Sequence, residues 1–183
     1  MTAVFDVSVV GGGVVGLVTA LGMAKRGFSV VLIDSSSLSV AMDLGEKQID
    51  PRVFAVNHAS QRLLSSLGAW PPLVEKGESY RHRLSPYQRM FIWDAATGGS
   101  IEFDSRMIAA DKLGLIIEEW VLRKALLQAV FQATNVTLLP GQTVNALAQQ
   151  SDGISIARHQ KQWHSRLLLA VDGAHSPCRT LLK

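Results

Sequence analysis

The sequence holds one cysteine in 183 residues, Cys178. A single thiol excludes an internal disulfide framework and fits a reducing cytosol. Long apolar runs are missing as well. The longest candidates are broken by glycine or charge, short of the roughly 20 residues that cross a bilayer. The start, Met1 to Asp6, has no basic segment ahead of an apolar one, so no secretory signal is expected. His58, His82, His159, His164 and His175 show no metal-ligand spacing, and no metal site is expected beside one cysteine. No repeat occurs, and no low-complexity stretch beyond the serines after Asp34. The net charge of +3 comes from scattered residues, apart from Arg81, Arg83 and Arg89. That pattern reads as a solvated basic face and argues against nucleic-acid binding. A peripheral contact with anionic lipid stays open. No nucleophile–base pair stands out, and Cys178 reads as a packed helix residue without an activating partner. Trp70, Trp93, Trp120 and Trp163 read as core or edge aromatics. With 48% hydrophobic residues the chain can fill one core, or one core and part of another.

What is present is concentrated in Val4 to Gly16. Val7, Val9 and Val10 are β-branched and apolar, as a strand buried on both faces requires. Gly11, Gly13 and Gly16 follow in G-x-G-x-x-G spacing. Gly11 permits a tight turn, Gly13 lets a pyrophosphate approach the backbone, and Gly16 lets the helix pack on the strand. The helix start offers free N–H groups and a positive dipole end to phosphates. The pattern predicts a helix from Val14 to Arg26, closed by a left-handed Gly27, and a second strand from Phe28 to Ile33. Asp34 then lies 18 residues past Gly16, near the spacing at which an acid accepts hydrogen bonds from a ribose 2′-hydroxyl.

Further along, Ser35 to Pro51 reads as a long polar loop. Asn57 reads as an N-cap of a helix that carries Leu63, Leu64 and Leu67 as an apolar stripe and ends at Gly68. Arg52 lies just before it. Either it returns to the glycine turn, where it neutralises a pyrophosphate or faces a flavin ring, or it is a surface arginine; the residues leave both open. Tyr80 to Gln88 reads as an exposed connection. Arg89–Asp94 and Ser100–Phe103 read as an antiparallel pair around a glycine turn, a second layer suited to covering a substrate pocket. Leu113–Glu118 reads as a strand, followed by an amphipathic helix from Glu119 to Phe131 with Val121, Leu122, Leu126, Ala129 and Val130 apolar. Val136–Leu139 reads as a parallel strand. Segments 142–149, 153–158 and 163–171 read as a meander whose last strand returns to the central sheet. Asp172-Gly173 and a short helix follow, with His175 an exposed residue at the helix start. The expected division is 1–72, 73–112 and 113–183.

These motifs together resemble the class A flavoprotein monooxygenases, and within them the ubiquinone-biosynthesis hydroxylases. The resemblance rests on the glycine motif, Asp34, the pair Asp50 and Arg52, and Asp172-Gly173-x-x-Ser176-x-x-Arg179. It is supported by 52–57, 67–70, 90–94 and 117–119. It implies an α/β fold: a Rossmann-like FAD-binding domain with a parallel central sheet, a β-meander, and an antiparallel pair belonging to an incomplete substrate domain. It implies that Gly11, Gly13 and Gly16, with Val14 and Val15, hold the FAD pyrophosphate. Asp34 would bind the adenosine ribose, although many relatives carry Glu there. Arg52 would approach the FAD from its loop. Glu118 and Arg123 would lie near the phosphate and ribitol, the backbone around Val144 would meet the adenine, and Asp172 would meet the flavin side and help with NAD(P)H.

In that family the flavin supplies the redox chemistry with NAD(P)H and O₂, and the protein positions and excludes water. The implied substrate is a polyprenylated phenol, a quinone precursor. The implied partners are a ubiquinone-synthesis complex or the inner-membrane periphery, for an otherwise cytoplasmic protein. The family's third motif, Gly-Asp-Ala, and most of its substrate domain lie downstream. The chain is therefore expected to be the N-terminal part of such an enzyme, about half, binding FAD weakly or not at all and not hydroxylating alone. Two other readings stay open: a nicotinamide-dependent dehydrogenase or flavin reductase on the same fold, and a truncated, non-catalytic interaction module.

Overall fold

The computed structural model describes residues 3–38, 49–70, 83–158 and 161–182. In chain order the described elements begin β1 (Ala3–Val10), α1 (Val14–Ala24), β2 (Val30–Ile33), β3 (Val53–Asn57) and α2 (His58–Ser66). Then come β4 (Leu84–Tyr87), β5 (Arg89–Trp93), β6 (Ser100–Asp104), β7 (Gly114–Glu118) and α3 (Glu119–Gln132). The last are β8 (Val136–Leu139), β9 (Ala146–Gln150), β10 (Gly153–Arg158), β11 (Lys161–Ala170) and α4 (Pro177–Leu181). The chain parts into two compact units, Met1–Asp43 with Arg123–Lys183, and Leu44–Leu122.

The first unit is built on a sheet in the order β8-β2-β1-β11-β10-β9. β8, β2, β1 and β11 run parallel; β10 and β9 extend the sheet as an antiparallel meander. The mixed α/β fold with its mostly parallel centre agrees with the sequence expectation. Alternation explains the layering. Val7 and Val9 stand in register with Val30 and Leu32 on one face, and α1 packs on these two strands with Leu17, Ala20 and Leu21 buried. On the other face Val10, Val31 and Ile33 join Val144, Ile156, Trp163 and Cys178 in one core. Ser8 is buried there too, and its hydroxyl has no hydrogen-bond partner among the described residues. Helix α1 stops two residues earlier than predicted. Gly27, at φ +86°, closes it, and the Phe28 amide reaches back to the Met23 carbonyl.

The second unit holds a sheet in the order β3-β7-β4, all antiparallel, and the separate ribbon β5–β6. The ribbon is the predicted antiparallel pair, with Phe91 stacked on Trp93 at 5.9 Å between ring centroids. Asn57 caps α2 by accepting from the Ser60 amide at 2.9 Å, as the sequence predicts. The stripe on α2 is narrower than predicted: Leu64 and Leu67 are buried, and Leu63 is half exposed. The largest correction concerns 83–88. These residues are not an exposed connection, because Leu84–Tyr87 is a strand paired with β7 and Arg83 is buried. Basic residues and Pro86 hid it. β4 lies at the sheet edge, where a proline removes no ladder bond. Arg83 therefore leaves the solvated basic face, and Arg81 lies outside the described residues. Helix α3 is more deeply buried than one stripe predicts: Trp120, Ala125 and Leu127 join the expected positions, and Ala129 is only partly covered. Among the described residues no helix is long and apolar enough to cross a membrane.

Candidate cofactor site

The glycine turn leaves the end of β1 in a conformation that side chains resist. Gly11 has φ +111°, and a Cβ there would lie 2.3 Å from the Val171 carbonyl oxygen. A Cβ on Gly16 would lie 1.8 Å from the Gly11 carbonyl oxygen, so α1 can start this close to the strand only as glycine. Gly13 differs. It is the N-cap of α1, and a Cβ there would meet no atom of the described residues within 4 Å. Among the described residues no side chain caps α1, and no acid stands in its first turn. The amides of Val14, Val15 and Gly16 therefore head the helix without an intrahelical acceptor, beside open space, as an anion site requires.

Asp34, at the end of β2, is turned into this loop. Its Oδ2 accepts from the Gly12 amide, and its Oδ1 accepts from the amide of Ser36 at 2.7 Å and from the Ser36 hydroxyl. Arg123 of α3 reaches the same loop. Its Nε donates to the Gly12 carbonyl at 3.4 Å and its Nη2 to the Ser36 hydroxyl at 3.2 Å. Gly12 is thus held at its N–H and its C=O by two charged side chains that the chain separates widely.

Beside Asp34 opens a recess of ≈ 130 Å³, lined by Gly11, Asp34, Gln142, Val144, Asp172 and Cys178 among others. It is smaller than pockets that enclose whole ligands, so it accepts one group of a larger molecule. Val144 is buried in its wall, and the Gln142 amide donates to the Asp34 carbonyl at 2.8 Å, bringing 142–144 alongside β2. Asp172 accepts from the Cys178 amide at 2.9 Å. Partial burial pushes its carboxyl up, but bonds from the Ser176 hydroxyl and the Cys178 amide prevail and hold it below the usual carboxylate range. Burial, then the neighbouring Asp172, pushes the Cys178 thiol up to about 12. It stays protonated and is no nucleophile, as the sequence indicates. His175 is exposed.

The first unit therefore brings together Gly11, Gly13, Val14, Val15, Gly16, Asp34, Arg123, Val144 and Asp172. Arg52 and Glu118 belong to the second. Arg52 is two-thirds exposed, with Nη1 3.0 Å from Glu119 and Nε 3.5 Å from Asp50. Glu118 is buried and fully engaged: it accepts from Arg83, from the Trp120 indole at 2.7 Å and from the Asp50 amide at 3.1 Å. Burial raises its pKa, yet the Asp50, Trp120 and Arg83 bonds prevail and lower it. Sequence reasoning missed Gly12, Ser36 and Gln142. Asp34 itself carried a signal for Ser36, since an Asp side chain after a strand tends to accept from the backbone amide two residues on.

Residues 4–183 match the family described as FAD binding domain. Over 178 residues the chain is 32% identical to 3-demethoxyubiquinol 3-hydroxylase of Escherichia coli, covering 96% of this chain and 43% of that protein. It is 32% identical over 177 residues to ubiquinone hydroxylase UbiL of Rhodospirillum rubrum, covering 96% of this chain and 39% of the relative. The chain thus spans about two fifths of the curated relatives it matches. The crystal structure of p-nitrophenol 4-monooxygenase PnpA from Pseudomonas putida superposes with TM-score 0.70 at 20% identity, over 100% of this chain and 44% of that one. The flavin-dependent monooxygenase PieE, solved with FAD and substrate, superposes with TM-score 0.66 at 20% identity, over 98% and 32%. At these identities the structures show a shared fold.

Proposed function

The chain belongs to the FAD binding domain family, and from that premise we propose that it is the FAD-binding portion of a flavoprotein monooxygenase. The observation that carries the proposal is the uncapped start of α1, where Gly13 faces open space next to the acid-held loop. In this reading the amides at Val14 and Val15, with Gly11, Gly13 and Gly16 shaping the turn, take the FAD pyrophosphate. Asp34 takes the adenosine ribose, and the backbone at Val144 meets the adenine in the recess beside it. Arg123 steadies the loop from its carbonyl side and adds positive charge near the phosphates. Asp172 serves the flavin side, and Arg52 and Glu118 are assigned to the cofactor by resemblance. FAD, when bound, supplies the redox chemistry with NAD(P)H as reductant. Residues 1–72 and 113–183 make up the cofactor part, and 73–112 belong to a substrate domain.

The relatives' names support hydroxylation in ubiquinone synthesis as the reaction of the whole enzyme, and the resemblance assigns a polyprenylated phenol as its substrate. Work within a ubiquinone-synthesis complex or at the inner-membrane periphery is assigned by resemblance. The purified chain, equilibrated with FAD, is expected to bind it weakly, with a change in the flavin absorbance band that excess NAD does not reverse. An unchanged band would leave this reading as ancestry only. Displacement by NAD would favour a nicotinamide enzyme.

A further inference from the structure

We infer that Ser36 is a positioning residue for Asp34: its amide and hydroxyl fix the carboxylate so that one acceptor position faces the ribose. This rests on the FAD reading above. An ionised carboxylate offers about four acceptor positions on two oxygens. In Asp34, Oδ1 takes the Ser36 amide at 2.7 Å and the Ser36 hydroxyl, and Oδ2 takes the Gly12 amide. Among the described residues one position remains, on Oδ2, so the acid can serve one ribose hydroxyl and select it.

Ser36 is itself held from both sides. Its hydroxyl spends its single proton on Asp34 and accepts from Arg123 Nη2 at 3.2 Å. Its carbonyl accepts from the Gly141 amide at 2.8 Å. Two residues on, Leu38 adopts φ +45° and is buried, with Cδ2 placed 2.4 Å from where a Cβ on Gly12 would stand. A leucine in the left-handed region is an outlier that packing must hold. The stretch from Asp34 to Leu38 is therefore a strap over Gly12, and Ser36 is its polar pin. Ser36 is exposed, so removing its hydroxyl leaves the core intact.

The test titrates the 183-residue chain with ADP and 2′-deoxy-ADP and reads the ratio of their Kd values. The unaltered chain is expected to prefer ADP about tenfold, the size of one charge-assisted hydrogen bond. Ser36→Ala is expected to narrow that preference to about twofold, with Tm unchanged. Ser36→Thr, which keeps the hydroxyl, is expected to restore it. An unaltered ratio in Ser36→Ala, or a ratio lost equally in Ser36→Thr, overturns the role of Ser36 while FAD binding stands. An unaltered chain that binds FAD without telling ADP from 2′-deoxy-ADP overturns it through Asp34. A chain that binds neither nucleotide nor FAD overturns the cofactor reading itself.

Discussion

Arg83 and Glu118 form a buried ion pair in which Nη1 of the arginine lies 3.0 and 2.9 Å from the two carboxylate oxygens. The guanidinium also stacks over Trp120, 5.2 Å from the ring centroid, while the Trp120 indole donates to the same carboxylate. Removing the cation leaves a buried charge with only neutral donors. Arg83→Met is expected to lower unfolding stability by about 3 kcal/mol. The double change Arg83→Met with Glu118→Leu should recover much of that loss, because both charges then go together. Urea denaturation of the three proteins checks it, and equal loss in single and double variants would remove the pair from the stability account.

Acid sensitivity follows from the same carboxylate. The folded pKa of Glu118 is lowered from its ordinary 4.5, so its stabilisation is complete above that value and is lost as pH falls through the folded pKa. Asp104, held down to about 2 by hydrogen bonds from Arg106, extends the same loss to lower pH. Stability is expected to decline as pH falls from about 4.5 toward 2. Glu118→Gln should flatten the upper part of that decline. Urea midpoints measured across this range decide, and a profile identical in Glu118→Gln would contradict the assignment.

Two glycines of the turn should separate folding from binding. Gly16→Ala drives a Cβ to 1.8 Å from the Gly11 carbonyl, and is expected to cost at least about 2 kcal/mol of stability. Gly13→Ala meets no atom of the described residues within 4 Å, and should cost under about 1 kcal/mol, the price of a poorer N-cap. If Gly13 admits the pyrophosphate, its substitution nevertheless weakens FAD binding about tenfold or more. Paired Tm and FAD titrations check this. Equal FAD affinity in Gly13→Ala would place the phosphates elsewhere.

Cys178 should be silent toward thiol reagents. It is fully buried, and its pKa lies near 12 instead of 9.0, which at mildly alkaline pH lowers the thiolate fraction about a thousandfold. Its reaction with a disulfide reagent is expected only in step with unfolding, at a rate set by urea. Fast labelling of the folded chain would show that α4 opens readily.

Much of this was legible in the residues because the signals are local. Val7 to Val10 announce a strand covered on both faces, and Gly11, Gly13 and Gly16 announce the turn. Asn57 announces a helix start, and the glycines after Asp94 announce a hairpin. Spacing alone singled out Asp34 as a candidate ribose acceptor. What escaped was the shape of its engagement. The bonds from Gly12 and Arg123 join positions 22 and 87 to 111 residues apart in the chain, and no periodicity encodes them. Arg83 escaped for the same reason, 35 residues from Glu118.

The sequence by itself determined the order of the strands and helices apart from β3 and β4, the glycine turn, and the acid at the end of β2, because backbone sterics and alternating burial act over a few residues. Tertiary structure alone decided that β4 pairs with β7, that Arg83 is buried, and that Leu38 bends into the left-handed region over Gly12. It also decided that Asp34, Ser36 and Arg123 close on one glycine. Those outcomes depend on which distant side chains arrive at the same place, and a charge removed from water must find its partner wherever the fold brings one.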